Sequence, residues 1–288
     1  MADLYLQKLQ LVSEGQELSF VMGQKRTCYK GVYPFKIFPQ KGLQELSFAP
    51  VTVLYGGNGS GKTTLLNILA EKLGLTRHSA FSGSTFFGEY TAMCRVQQSG
   101  IPRDSQILTS DDVSDYLLNL RALSDGIDTR RERLLEEYSD RKWRDLRFTS
   151  LDDYDLWKEG YDAKRRTSSR FVNDRLMKNP DMRSNGETAM NYYTQRITEN
   201  ALYLIDEPEN SLSAAFQREL AGFLADSARF FGCQFVISTH SPFLLAIPGA
   251  AVYDLDSRPV RVRPWTELEN VRVYFSFFRE HENEFKQI

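Results

Sequence analysis

The run Val51-Thr-Val-Leu-Tyr-Gly-Gly-Asn-Gly-Ser-Gly-Lys-Thr-Thr64 holds the residue types and spacing that grip a string of phosphates. Gly56, Gly61, Lys62 and Thr63 fit the pattern G-x-x-x-x-G-K-[ST]. A triphosphate is crowded with negative charge. Glycines let backbone N–H groups close around it, and a following helix adds the positive end of its dipole. Gly56, Gly57, Asn58, Gly59, Ser60, Gly61, Lys62, Thr63 and Thr64 are therefore the expected nucleotide-binding loop. Lys62 has the reach for the β- and γ-phosphates, and the Thr63 hydroxyl suits Mg²⁺. A glycine-rich turn matching by accident is the competing reading.

Three further groups carry chemistry. Ala201-Leu-Tyr-Leu-Ile-Asp206-Glu207-Pro208 is an apolar run ending in two carboxylates. Asp206 can organise the Mg²⁺ shell, and Glu207 can orient and deprotonate an attacking water. Phe235-Val-Ile-Ser-Thr-His240 closes a second apolar run with a polar tip. His240 then stands where a neutral imidazole senses a γ-phosphate oxygen. The catalytic set read here is Glu207, His240 and Lys62. The last group, Arg183-Ser184-Asn185-Gly186-Glu187-Thr188, is by itself only a Ser-Gly turn opening a helix.

These groups need a strand–loop–helix frame. Val51, Val53, Leu54 and Tyr55 form a β-prone run before the loop, and Leu65, Leu66, Ile68 and Leu69 follow it at helical spacing. The all-apolar runs 201–205 and 234–238 predict parallel strands covered on both faces, with an amphipathic helix over about 214–231 between them. Upstream, Leu4–Leu6, Leu18–Val21, Cys28–Tyr33 and Phe35–Phe38 read as short antiparallel strands. From Asp111 to roughly 180 the chain reads as charged helix, with Leu134, Leu135, Tyr138, Trp143 and Leu146 as an apolar stripe and a basic cluster at Lys164–Arg170. Val252–Leu255 and Val260–Arg263 read as further strands. From Trp265, with Leu268, Val271, Tyr274, Phe275, Phe277, Phe278 and Phe285, the chain reads as a C-terminal amphipathic helix.

Composition narrows the class. The 288 residues carry 36 basic and 38 acidic side chains, so only a local patch can attract nucleic acid. No apolar run reaches the ~18 residues of a membrane span, and the N-terminus lacks a signal-peptide pattern. Cys28, Cys94 and Cys233 are isolated, which speaks against a disulfide framework. A reduced, cytoplasmic protein with no membrane contact is expected.

In order along the chain, phosphate loop, Ser184–Glu187, Asp206-Glu207 and His240 resemble the ABC-type ATPase superfamily. The likeness is to its soluble branch of chromosome-maintenance, repair and recombination ATPases, and to the small stand-alone AAA family ATPases found beside bacterial defence genes. The resemblance implies an α/β P-loop fold with an N-terminal antiparallel β subdomain, a mainly parallel core sheet and a helical insertion. It implies a single ATPase domain, 1–288, containing a β-rich lobe with the phosphate loop at 1–102 and a helical insertion at 103–182. A lobe with signature, Asp-Glu strand and His switch follows at 183–264, and a C-terminal helix at 265–288.

It also implies ATP and Mg²⁺ as cofactors, hydrolysis of ATP to ADP and phosphate, and a homodimer formed on ATP binding. There Ser184, Asn185, Gly186 and Glu187 act in trans as the signature; Asn185 departs from its usual first glycine. Thr63 and Asp206 would hold the metal, with Gln97 beside them and Gln98 as the alternative. Tyr33, Phe35 or Phe38 would stack on adenine. Ser213 stands where the family often has an Asp or His. The coupled partner would be nucleic acid or a protein, an effector or nuclease, in phage defence or DNA maintenance.

The nucleotide-binding subunit of an ABC membrane transporter is the alternative. Asp206–Ser213 and Ser184–Glu187 resemble the soluble branch better, and the charged insertion is unlike a compact transporter subunit. A P-loop kinase or GTPase does not explain Ser184–Glu187. For a fused nuclease, the fewer than fifty residues after His240 lack a cluster of acids on strand ends suited to two metals.

Overall fold

The structure is a computed structural model that describes residues 4–24, 31–81, 83–143, 161, 167–176 and 184–286. The chain divides into two units, one of residues 1–114 and 185–288 and the other of residues 115–184.

In the first unit β1 (Leu6–Gln10) leads into α1 (Glu14–Gly23). After a 3₁₀ turn at Pro39–Lys41 come β2 (Glu45–Ser47), β3 (Val51–Tyr55) and α2 (Lys62–Leu73). Then follow α3 (Phe87–Met93), β4 (Arg95–Gln98), β5 (Gln106–Thr109) and α4 (Ser110–Trp143), most of which belongs to the second unit. The second unit also holds α5 (Ser168–Asn173). The first resumes with α6 (Asn185–Arg196), β6 (Leu202–Asp206), α7 (Ala214–Phe230), β7 (Gln234–Ser238) and α8 (Pro242–Leu245). It ends with β8 (Ala251–Asp254), β9 (Arg261–Val262), α9 (Glu269–Glu280) and α10 (Glu282–Phe285).

Two sheets organise this unit. A small antiparallel sheet has the order β2-β1-β4, and a larger one has the order β5-β6-β7-β3-β8-β9. The larger is parallel from β5 through β8, with β9 antiparallel at its edge. Every residue of β3 and β7 is buried, as expected of strands covered on both faces. Burying each such Leu, Ile, Val or Phe contributes about 1.5–3 kcal/mol before entropy is counted. The core continues into Leu6, Leu9, Phe35, Phe38, Leu65, Ile68 and Tyr90, so the two sheets share one apolar interior. This is the mixed α/β fold the motifs imply.

The N-terminal strand expectations need correction. Leu18–Val21 lie in α1, not in a strand. Ser13 and Gln16 form a capping box there, accepting each other's backbone N–H, and this local start signal overrides β-propensity. Phe35–Phe38 form a turn entering the 3₁₀ segment, and Phe35 and Phe38 are buried there without a strand ladder. Of Cys28–Tyr33, residues 28–30 lie outside the described residues, and 31–33 are not strand. Val260–Arg263 pairs only at Arg261–Val262.

In the second unit Leu134 and Tyr138 of α4 pack with Phe171 and Val172 of α5, the Tyr138 and Phe171 rings 5.4 Å apart. The expected stripe is only half realised: Leu135 and Trp143 are exposed, and Leu146 lies outside the described residues.

Candidate nucleotide site

The phosphate loop joins the C-terminal end of β3 to α2. Gly61 is the N-cap of α2 with φ 101°, a left-handed conformation that L side chains rarely adopt. A Cβ there would sit 3.1 Å from Phe38 Cε1 and 3.3 Å from Ile37 Cγ2. The loop thus turns sharply against the core, and the first N–H groups of α2 are left free to face an anion. Asn58 through Thr64 and Glu207 line a cleft of about 250 Å³. Ser60 Oγ is buried there with no hydrogen-bond partner among the described residues.

Lys62 is almost fully buried. Its Nζ donates to Gly56 O at 2.7 Å and Gly57 O at 3.3 Å, and lies 2.9 Å from His240 Nε2. Glu207 Oε1 is 3.5 Å from both Lys62 Nζ and His240 Nε2. The three residues come from α2, the end of β6 and the end of β7. They meet because these elements finish at one sheet edge, with β7 lying between β6 and β3.

Asp206 faces Ser238 across the β6–β7 ladder and accepts a hydrogen bond from its hydroxyl. Thr63 Oγ1 donates to the same carboxylate oxygen at 3.3 Å. Burial raises the Asp206 carboxyl, and these two hydrogen bonds pull it partly back. A hydroxyl and a carboxylate side by side are hard oxygen donors of the kind Mg²⁺ takes along with substrate phosphates. Among the described residues no cluster of three His, Cys, Asp or Glu is placed to cage a metal. The donor set fits Mg²⁺.

Glu207 has φ 46°, a left-handed backbone in a non-glycine residue. Such strain costs about 1–2 kcal/mol and concentrates at functional sites. Its N–H donates to Ser238 O at 3.0 Å, while Asn210 Nδ2 donates to Oε2 at 3.2 Å. The carboxylate is therefore held at the mouth of the loop.

Several supporting residues carry no motif of their own. Glu209 Oε1 accepts from the backbone N–H of His240 at 2.5 Å, and burial raises its carboxyl. Lys41 Nζ donates to Ser60 O and Leu255 O, both at 2.8 Å, bracing the loop from behind; burial lowers its ammonium. Asp256 accepts from Gly57 N at 2.6 Å. Only Glu209, inside the Asp-Glu-Pro-Glu run, was open to detection from the sequence.

Tyr33 is partly exposed, its hydroxyl 3.0 Å from Thr64 Oγ1, whereas Phe35 and Phe38 are core residues. Gln97 sits exposed on β4 opposite Lys8, and is not among the residues lining the cleft. Ser184, Asn185 and Glu187 are exposed at the start of α6 and do not line it either. Gly186 is fixed by packing: a Cβ would meet Phe216 Cδ2 of α7 at 2.8 Å. Ser213 caps α7, accepting from Phe216 N. Of the basic cluster, Lys164–Arg166 lie outside the described residues.

The motif Gly56–Thr64, set between β3 and α2 of a mainly parallel sheet, is that of a P-loop fold. The family model described as "AAA domain, putative AbiEii toxin, Type IV TA system" matches residues 51–191 and 190–246, and the chain belongs to this family. Comparison with curated proteins gives no match. Among solved structures, the Smc head domain of Pyrococcus furiosus bound to the C-terminal domain of ScpA is 14% identical with TM-score 0.40, covering 76% of this chain and 91% of that one. The SMC head domain of Thermotoga maritima is 12% identical with TM-score 0.38, covering 91% and 99%. A metal-chelate type ABC transporter is 18% identical with TM-score 0.36, covering 81% and 80%. Among the described residues no helix is long and apolar enough to cross a membrane.

Proposed function

We propose that the chain is a cytoplasmic ATPase that binds ATP with Mg²⁺, hydrolyses it to ADP and phosphate, and closes as a homodimer around the nucleotide. The observation that carries this reading is the convergence of Lys62, Glu207 and His240 within 3.5 Å of one another at the phosphate loop. Lys62 neutralises the γ-phosphate, Glu207 takes a proton from the attacking water, and His240 holds a γ-oxygen. Thr63 and Asp206 would hold Mg²⁺, which would supply neutralising charge for phosphoryl transfer. Gln97 is the proposed further ligand.

Exposure of Ser184, Asn185 and Glu187 at the start of a 12-residue helix supports their use in trans, as the signature closing on a partner protomer's ATP. We assign the nucleotide chemistry to the lobes 1–102 and 183–264, and the coupling to an effector, nuclease or nucleic acid to the insertion 103–182. Phage defence or DNA maintenance is the proposed setting.

Glu207→Gln tests the reading. At a protein concentration where the nucleotide-free chain is monomeric, it should retain ATP binding, lose turnover about 10²-fold or more, and accumulate as an ATP-bound dimer by light scattering. Adding Ser184→Arg should abolish that dimer. Wild-type hydrolysis by Glu207→Gln rules out the assigned base, and a monomer at saturating ATP rules out the sandwich.

A further inference from the structure

The helix α9 is apolar over far more of its circumference than the first unit covers. At about 100° per residue, Val271, Val273, Tyr274, Phe275, Phe277 and Phe278 span an arc of roughly 200°, interrupted in the first turn by Asn270. A helix packed on one side needs an apolar stripe about half as wide. Only Val271 in this arc is buried, with Leu268 anchoring the start of the helix. The other five, and Phe285 beyond them, are 45–60% exposed. Aromatic side chains bury 150–250 Å² each, so these six leave roughly 600 Å² of apolar surface in water. That is the upper end for a monomer's largest patch and close to the ~800 Å² per partner of a standard interface.

The arc has two halves. Tyr274, Phe275 and Phe278 line a groove of about 730 Å³ floored by Pro242 and Phe243 and closed by Ala214 and Trp265. Val273 and Phe277 face the other way. The polar strip that closes the circle is also divided, with Arg272 and Arg279 bordering the groove half, and Glu269 and Glu280 bordering the outer half.

We propose that this surface is covered by a second copy of the chain, α9 against α9 around a two-fold axis parallel to the helices. That symmetry sets the groove half of each helix beside the outer half of the other. Val273 and Phe277 of one protomer enter the groove of its partner. The same operation sets each basic edge against an acidic edge, so the charges complement one another. An antiparallel pair would set like edges together. The contact needs no nucleotide and is separate from the closure around ATP.

Light scattering on the full chain without nucleotide tests this. Twice the chain mass is expected at ~50 µM, for wild type and for Lys62→Ala alike. Phe277→Glu should raise the dimer dissociation constant at least about 100-fold while leaving ATP binding unchanged. Arg279→Glu should weaken the dimer, and adding Glu280→Arg should restore it. A nucleotide-free monomer overturns the proposal, as does a dimer indifferent to Phe277→Glu or a purified monomer that takes a different protein on this face. ATP-driven association of Glu207→Gln carrying Phe277→Glu reports on the closure around ATP independently.

Discussion

Lys62 Nζ lies 2.9 Å from His240 Nε2, while Glu207 Oε1 is 3.5 Å from each of those nitrogens. The Lys62–His240 contact is the shortest of the three. The two residues are 178 positions apart in the chain.

This pairing separates binding from turnover. Lys62→Ala removes the buried counter-charge to the phosphates and should lower ATP affinity by 10²-fold or more. His240→Ala should leave affinity within a few-fold and lower kcat by about 10²-fold, the size expected when a hydrogen bond used only in the transition state is lost. Titration calorimetry with steady-state phosphate release distinguishes them. Equal effects of both changes on affinity alone would falsify the division of roles.

The Glu209 carboxyl gives a pH signature. Burial, the largest cause, raises it above the ordinary value of 4.5, and the His240 N–H pulls it partly back. For an acid shifted this way the ionised form costs folding free energy. That cost is complete above the raised value and fades as pH falls from there to 4.5. Glu209→Gln keeps an acceptor for His240 without the charge, so it should be more stable than wild type at pH 8. The advantage should shrink on acidification. Denaturant unfolding at pH 8 and pH 5 measures it; a gap that widens on acidification contradicts the assignment.

Gly186 is held by space. Its missing Cβ would lie 2.8 Å from Phe216 Cδ2, so Gly186→Ala must displace the Phe216 ring or part α6 from α7. A cost of about 1–3 kcal/mol is expected. Phe216→Leu in the Gly186→Ala background should recover part of it. Thermal melts of the double-mutant cycle decide whether the two residues are coupled.

Tyr33 is the remaining aromatic for the adenine ring, since Phe35 and Phe38 are fully committed to the core. Tyr33→Ala should weaken ATP and ADP alike, by about 10-fold, and Tyr33→Phe should retain most of the stacking. Unchanged ADP affinity in Tyr33→Ala removes it from the site.

The sequence by itself determined what depends on short spacing. Gly56–Thr64 is contiguous, so its loop geometry follows from local backbone freedom and the strand and helix that flank it. The apolar runs ending at Asp206 and Ser238 dictated buried parallel strands, because only such strands lack a polar face. Local signals were also misread: β-prone Leu18–Val21 became helix because Ser13 and Gln16 cap it three residues apart. Tertiary structure alone decided the strand order, which inserts β7 between β3 and β6 and so brings Ser238 to Asp206 and His240 to Lys62. It also recruited Lys41, whose 214-residue separation from Leu255 leaves no periodic trace. The same holds for α9: its amphipathic pattern was legible, but whether its apolar arc meets a core or water depends on what the rest of the chain packs against it.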